Sequence, residues 1–284
     1  MLKFSLIDKT YIRYTEQGSG PPLLILHTLR NRLEYADRIL PELCKFFKVY
    51  VLDLPGHGDS PINKNTNYDL LFIANSIIDF INFKNLNELT IAGESIGAVL
   101  SAIVAKKIPQ KVKKIFCFNP YDYDKKFGEG VSRGNIISKF LFFHMRLPFG
   151  IGYLFSKLES YTIVKIIFHG GVRDKNSITK DYIRLLCKSL KKKYFTYHER
   201  NLFFNSILLD HKEIYNDLKT KVSLNYGEYD WSKINERKKT MSSLGLNSYN
   251  TLGNTGHFSF LESPSEVSNI IIKISDNDNY YQYQ

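Results

Sequence analysis

A serine set between two glycines is the first place in this sequence where residue type and spacing point to chemistry. Gly93-Glu94-Ser95-Ile96-Gly97 follows Leu89 to Ala92, an apolar run short enough for a buried strand, and small or apolar residues continue at helical spacing through Ala102 and Ile103. A strand therefore hands over to a helix at Ser95, in a turn so sharp that the residue between the glycines is strained and its hydroxyl exposed. That hydroxyl sits at the positive N-terminal end of the helix, where free backbone N–H groups can hold a developing oxyanion. The pattern has the G-x-S-x-G form of a nucleophile elbow.

A serine hydroxyl attacks poorly unless a histidine takes its proton, and the histidine needs a carboxylate to fix its tautomer and steady its positive charge. Both partners follow in the order this elbow requires, acid and then histidine. Val222-Ser-Leu-Asn-Tyr-Gly-Glu-Tyr-Asp230 reads as a strand running into a loop that ends in a carboxylate. Gly253-Asn-Thr-Gly-His257-Phe-Ser-Phe-Leu-Glu-Ser-Pro264 places a histidine in a glycine-bearing loop ahead of a helix.

With these segments in place the sequence resembles the α/β-hydrolase superfamily. Leu23-Leu-Ile-Leu-His27 and Asp53-Leu-Pro-Gly-His-Gly-Asp-Ser60 carry the likeness together with the elbow and the Gly-Glu-Tyr-Asp and Gly-His-Phe pair. The resemblance implies Ser95 as nucleophile, His257 as general base and acid, Asp230 as the residue that orients it, and no metal or cofactor. Asp122 is a rival acid, because some members of this fold place the carboxylate after the strand that here is Lys113 to Phe118. The resemblance also implies an oxyanion hole with Ile96 N–H as one half. The other half falls to the loop His27-Thr28-Leu29-Arg30, where the family usually has His-Gly. Thr28 stands at the glycine position, so either Leu29 N–H or the Thr28 hydroxyl could face the oxyanion. Arg30 beside this loop is a candidate clamp for a substrate carboxylate or phosphate, with a salt bridge to Glu34 or Asp37 as the alternative. Serine at position 95 disfavours the aspartyl-ester chemistry of related dehalogenases and epoxide hydrolases. A carboxylic ester of a largely apolar small molecule is the expected substrate. Thioester cleavage on an acyl carrier, carbon–carbon bond hydrolysis, and ligand binding on a hydrolase fold are the alternatives.

These residues need a frame. Lys3 to Ile7 and Tyr11 to Thr15 alternate apolar and polar residues around a turn, which predicts an antiparallel entry hairpin. Leu23 to Leu26, Lys48 to Leu54, Leu89 to Ala92 and Lys113 to Phe118 read as strands separated by helical patterns, as in a mostly parallel sheet with helices on both faces. Thr66-Asn-Tyr-Asp69 resembles a capping box before the helical face Leu70, Ile73, Ile77, Ile78 and Ile81. Ligands on such sheets bind at the carboxyl ends of the strands. After Asn119-Pro120 the alternation stops until Val222, which is too long for a loop. Residues 121–215 are therefore expected to form an inserted helical cap on a core made of 1–120 and 216–277. Within it, Ile136 to Phe155 suggests two short helices and a bend, Ser177 to Lys193 a helix ending in Lys191-Lys192-Lys193, and Leu202 to Leu209 an apolar helix returning to the core. The polar tail, 278–284, is expected to be disordered.

Composition narrows the class. A chain of 284 residues with 43% hydrophobic and 24% charged residues can bury a substantial core. The formal net charge is +11, and residues 121–220 hold 18 Lys and Arg against 10 Asp and Glu, so +8 of it lies in the middle third. A basic surface can meet nucleic acid, anionic lipid or an acidic protein. No zinc-finger spacing or RNA-binding signature accompanies the charge, which argues against nucleic acid and leaves an acidic acyl-carrier protein as a candidate partner. Cys44, Cys117 and Cys187 lie far apart in apolar surroundings and read as buried thiols of a cytoplasmic protein. The sequence has no signal-peptide pattern and no apolar run of spanning length. His57 reads as structural, and His144, His169, His198 and His211 lack the paired spacing of metal ligands.

Overall fold

The structure, a computed structural model, describes residues 2–123, 129–145, 147, 150–205 and 211–280. Eight strands form one sheet: β1 (Leu2–Ser5), β2 (Tyr11–Gln17), β3 (Pro22–Leu26), β4 (Lys48–Leu52), β5 (Leu89–Glu94), β6 (Val112–Phe118), β7 (Lys221–Gly227) and β8 (Asn250–Leu252). Their order is β1-β2-β4-β3-β5-β6-β7-β8. The β1–β2 and β2–β4 pairs are antiparallel, and every pair from β4 to β8 is parallel.

The helices in chain order are α1 (Leu40–Leu43), α2 (Leu70–Phe83), α3 (Ile96–Lys107), α4 (Glu129–Gly134), α5 (Ile136–Met145), α6 (Ile151–Lys157), α7 (Tyr161–His169), α8 (Lys180–Leu190), α9 (Phe195–Asn205), α10 (His211–Tyr215), α11 (Ile234–Ser243), α12 (Ser259–Glu262) and α13 (Pro264–Tyr280). Seven of them, α4 to α10, lie between β6 and β7. The last part of the expected Leu202–Leu209 helix, residues 206–209, falls outside the described residues, as do 281–284 of the expected disordered tail. Residues 278–280 of that tail continue α13.

A continuous apolar strand such as β3 is buried on both sides because its residues alternate between two cores. Leu24 and Leu26 join the cluster built with α2 and α3, which includes Ile73, Ile77 and Val99. Leu23 and Ile25 join the cluster on the other face with Leu43, Phe260, Val267 and Ile271. The start of α2 differs from the expected capping box. Asp69 is the cap, its side chain accepting from Phe72 N at 2.7 Å, while Thr66 Oγ1 donates to Asp8 Oδ2 at 2.7 Å. Of the three free thiols only Cys117 is fully buried; Cys44 and Cys187 are half-buried. Among the described residues no helix is long and apolar enough to cross a membrane.

Candidate active site

Ser95, Asp230 and His257 meet at the carboxyl ends of β5, β7 and β8. Ser95 leaves β5 with φ 59° and ψ −119°, the strained turn that the glycine spacing predicts. A Cβ on Gly93 would lie 2.2 Å from the Gly97 carbonyl oxygen, and one on Gly97 would lie 2.3 Å from that of Leu26. Glycine is required at both positions for β5, α3 and β3 to close around the serine.

Ser95 Oγ stands 2.9 Å from His257 Nε2, and His257 Nδ1 is hydrogen-bonded to Asp230 Oδ1. With Nδ1–H donating to the carboxylate, Nε2 is left to accept from the serine hydroxyl. Burial alone would raise the Asp230 carboxyl, but His257 and the Ser232 backbone and hydroxyl hold it below its ordinary value. The rival Asp122 is engaged elsewhere. It accepts from the Tyr215 hydroxyl at 2.7 Å and from Thr240 Oγ1 at 2.9 Å, and burial pushes it up to about 7.

Three further residues brace the site without having been singled out in the sequence. Glu94, inside the elbow, accepts from Ser259 N at 2.7 Å and from the Ser259 and Tyr35 hydroxyls. Burial pushes its carboxyl up to about 7. Asn119, just past β6, donates to the His257 carbonyl at 3.0 Å and accepts from Gly227 N at 2.7 Å. Together they tie the elbow, the acid strand and the histidine loop to one another. Polar residues closing otherwise apolar strands are the signal that could have marked them. Trp231 stacks on His257 with ring centroids 4.0 Å apart and planes 16° apart, so an imidazolium there would face the indole π surface.

Ile96 opens α3, and as its first residue has an N–H with no intrahelical acceptor. Thr28, Leu29 and Arg30 line the same cavity as Ser95, among apolar groups such as Val131, Phe142, Ile167 and Phe258. The loop's start is fixed by His27, whose Nδ1–H donates to the Thr28 carbonyl at 2.7 Å while Nε2 accepts from Leu54 N at 3.0 Å. Burial lowers His27 to about 4, so this bracket is neutral.

Two expectations about charged residues change. Arg30 was the candidate clamp for a substrate anion, yet its guanidinium is committed to Glu159 and, at 2.9 Å, to Glu199, two carboxylates from the β6–β7 segment. Glu34, one of the alternative partners, is held by Arg13 and Arg32. With two buried acids facing one cation, burial dominates and the Glu199 carboxyl rises well above its ordinary value. Lys192, in the expected helix end Lys191-Lys192-Lys193, is not turned to solvent. Its ammonium instead donates to the carbonyls of Gly56 at 2.7 Å, Gly58 at 3.1 Å and Ser60, in the loop after β4. Burial lowers it to about 8.

A parallel sheet with a strained serine after its central strand, followed by acid and histidine after later strands, defines a class. The chain has the α/β-hydrolase fold. Residues 21–135 match the family model described as alpha/beta hydrolase fold. Over 106 residues the chain is 30% identical to (E)-2-((N-methylformamido)methylene)succinate hydrolase of Acinetobacter baylyi, covering 37% of this chain and 40% of that protein. It is 26% identical over 98 residues to the pimeloyl-[acyl-carrier protein] methyl ester esterase of Aeromonas hydrophila subsp. hydrophila, covering 34% of this chain and 37% of the esterase. The aligned region thus spans well under two thirds of either relative. Among solved structures, a meta-cleavage product hydrolase from Pseudomonas fluorescens IP01 superposes with a TM-score of 0.75 at 15% identity, covering 95% of this chain and 96% of the other. An epoxide hydrolase superposes with a TM-score of 0.76 at 18% identity, covering 96% of each chain.

Proposed function

We propose that this protein is a serine hydrolase that cleaves a carboxylic ester of a largely apolar small molecule through an acyl-enzyme. The observation that carries this reading is the continuous hydrogen-bonded line from Ser95 Oγ through His257 to Asp230. His257 Nε2 takes the hydroxyl proton as Ser95 attacks the carbonyl, and Asp230 holds the imidazolium that results. The Ile96 N–H, with Leu29 N–H or the Thr28 hydroxyl, stabilises the oxyanion. The proton passes to the leaving alkoxide. Water, deprotonated by His257, then attacks the acyl-enzyme and releases the acid and free Ser95. The helices of the 121–215 segment act as a cap, whose Val131, Phe142 and Ile167 give the acyl group an apolar wall.

Labelling with a fluorophosphonate, alongside hydrolysis of p-nitrophenyl esters of graded chain length, tests this. Wild type should label and turn over. Ser95→Ala should do neither, with turnover down by several powers of ten. Equal labelling of the variant would overturn the assignment.

A further inference from the structure

Helix α6 is built inside out for a helix facing water. Gly152 and Ser156 are its buried residues, whereas Ile151, Leu154 and Leu158 are 46%, 60% and 55% exposed. The neighbouring α5 continues the pattern, with Ile136 81%, Phe140 58% and Phe143 59% exposed. Of sixteen large apolar side chains exposed among the described residues, eight fall between Ile136 and Leu158. Single exposed apolar residues are ordinary, but a concentration on two adjacent helices marks an interaction surface.

The charge around this face identifies what covers it. Helices α5 and α6 carry two lysines, Lys139 and Lys157, and no Asp, Glu or Arg. Lys139 and Lys157 are exposed within the patch, and Lys157 Nζ lies 4.6 Å over the ring of Tyr153, a cation riding above an apolar stem. Apolar side chains flanked by lysines suit the headgroup and acyl boundary of an anionic bilayer. A second copy of the chain would bring this basic segment against itself.

Position gives the face its use. On the inner side of α5, Phe142 lines the cavity at Ser95, while Leu141 and Met145 pack into the core. We infer that the outer face of α5 and α6 docks on an anionic phospholipid surface, and that the ester reaching Ser95 is an acyl ester drawn from that surface. The substrate part of this inference rests on the proposed hydrolase reading; the docking part does not.

Cosedimentation of the full chain with vesicles tests it, using equal parts phosphatidylglycerol and phosphatidylcholine against phosphatidylcholine alone. Wild type should bind the anionic vesicles and cleave a fluorogenic acyl ester carried in them. Phe140→Asn/Phe143→Asn/Leu154→Asn, changed only at exposed positions, should bind at least about tenfold more weakly and lose vesicle-borne turnover. It should keep wild-type turnover of a soluble short-chain ester. Lys139→Glu/Lys157→Glu should weaken binding to anionic vesicles by a similar factor. Ser95→Ala should bind vesicles like wild type, so loss of docking and failure of the hydrolase reading are read separately. No vesicle binding by wild type, or equal binding by the triple variant, would overturn the inference. So would a wild-type dimer that the triple variant converts to monomer without any vesicle affinity.

Discussion

The strand ends and the helices between β6 and β7 treat polarity in opposite ways. At the strand ends, buried carboxylates are met by donors a few residues away, as Asp230 is by Ser232, or by a loop aimed at them, as Glu94 is by Ser259. In the helical segment the acids and one lysine point inward to the core loops, and leucine, isoleucine and phenylalanine point out. The first arrangement fixes atoms for a reaction. The second holds a roof by a few strong, solvent-excluded contacts and leaves its outside apolar. In the proposed reading, chemistry and surface recognition fall to separate parts of one chain.

Variants can break this contrast. The largest effect belongs to the strand ends: Asp230→Asn should keep the fold yet lower kcat on a short soluble ester by about 10⁴-fold, since the amide favours the wrong histidine tautomer. Steady-state kinetics check it; a loss under tenfold would mean that Asp230 does not orient His257.

Next comes the seam at Arg30. Arg30→Met leaves Glu159 and Glu199 buried without their cation and should cost about 3–5 kcal/mol in urea unfolding. Glu199→Gln should cost less than Arg30→Met, because burial raises the Glu199 carboxyl and so favours the neutral form that the amide mimics. The sign with pH follows. The folded state binds a proton that the unfolded chain releases near the usual glutamate value of about 4.3, so wild type loses stability as pH rises above it. The Gln variant should therefore gain on wild type as pH increases, and a constant difference from pH 5 to 9 would refute it.

The smallest effect separates three adjacent lysines. Lys192→Ala, which strips carbonyls of the loop after β4 of their donor, should cost about 2 kcal/mol. Lys191→Ala and Lys193→Ala should each stay within about 0.5 kcal/mol. Equal costs in thermal unfolding would remove the distinction between a latch and a solvated helix end.

The contrast also explains what was legible in the sequence. The elbow, the order of acid and histidine, and the strands reveal themselves because apolar runs and glycine turns are local signals. Asp230 and Asp122 both fall between the serine and the histidine in the chain; the Gly-Glu-Tyr-Asp loop favoured Asp230, and the hydrogen bond to His257 lies on the Asp230 side. The partners of Arg30 and Lys192 escaped the sequence for one reason. They lie more than a hundred positions away, Glu159 at a separation of 129 and Gly56 at 136, and no periodicity encodes such pairing. Thr66 competed with Asp69 as helix cap since both residue types suit the role, and the backbone chose the residue next to the first turn. The reversed polarity of α6 is written in Gly152 and Ser156, yet only burial reveals which side of the helix they take.

The sheet order has a consequence for the growing chain. Strands β1 to β6 form an unbroken run of neighbours in the sheet, so they can assemble once Phe118 is made. Registering β7 on β6 instead closes a loop running from Phe118 to Lys221. Closure entropy rises only slowly with loop length, but such distant contacts form late. Asp230 and His257 both lie beyond that closure. During synthesis, therefore, Ser95 is in place on a nearly finished sheet before its proposed base and acid arrive, and on that reading its hydroxyl stays inert until the last two strands dock.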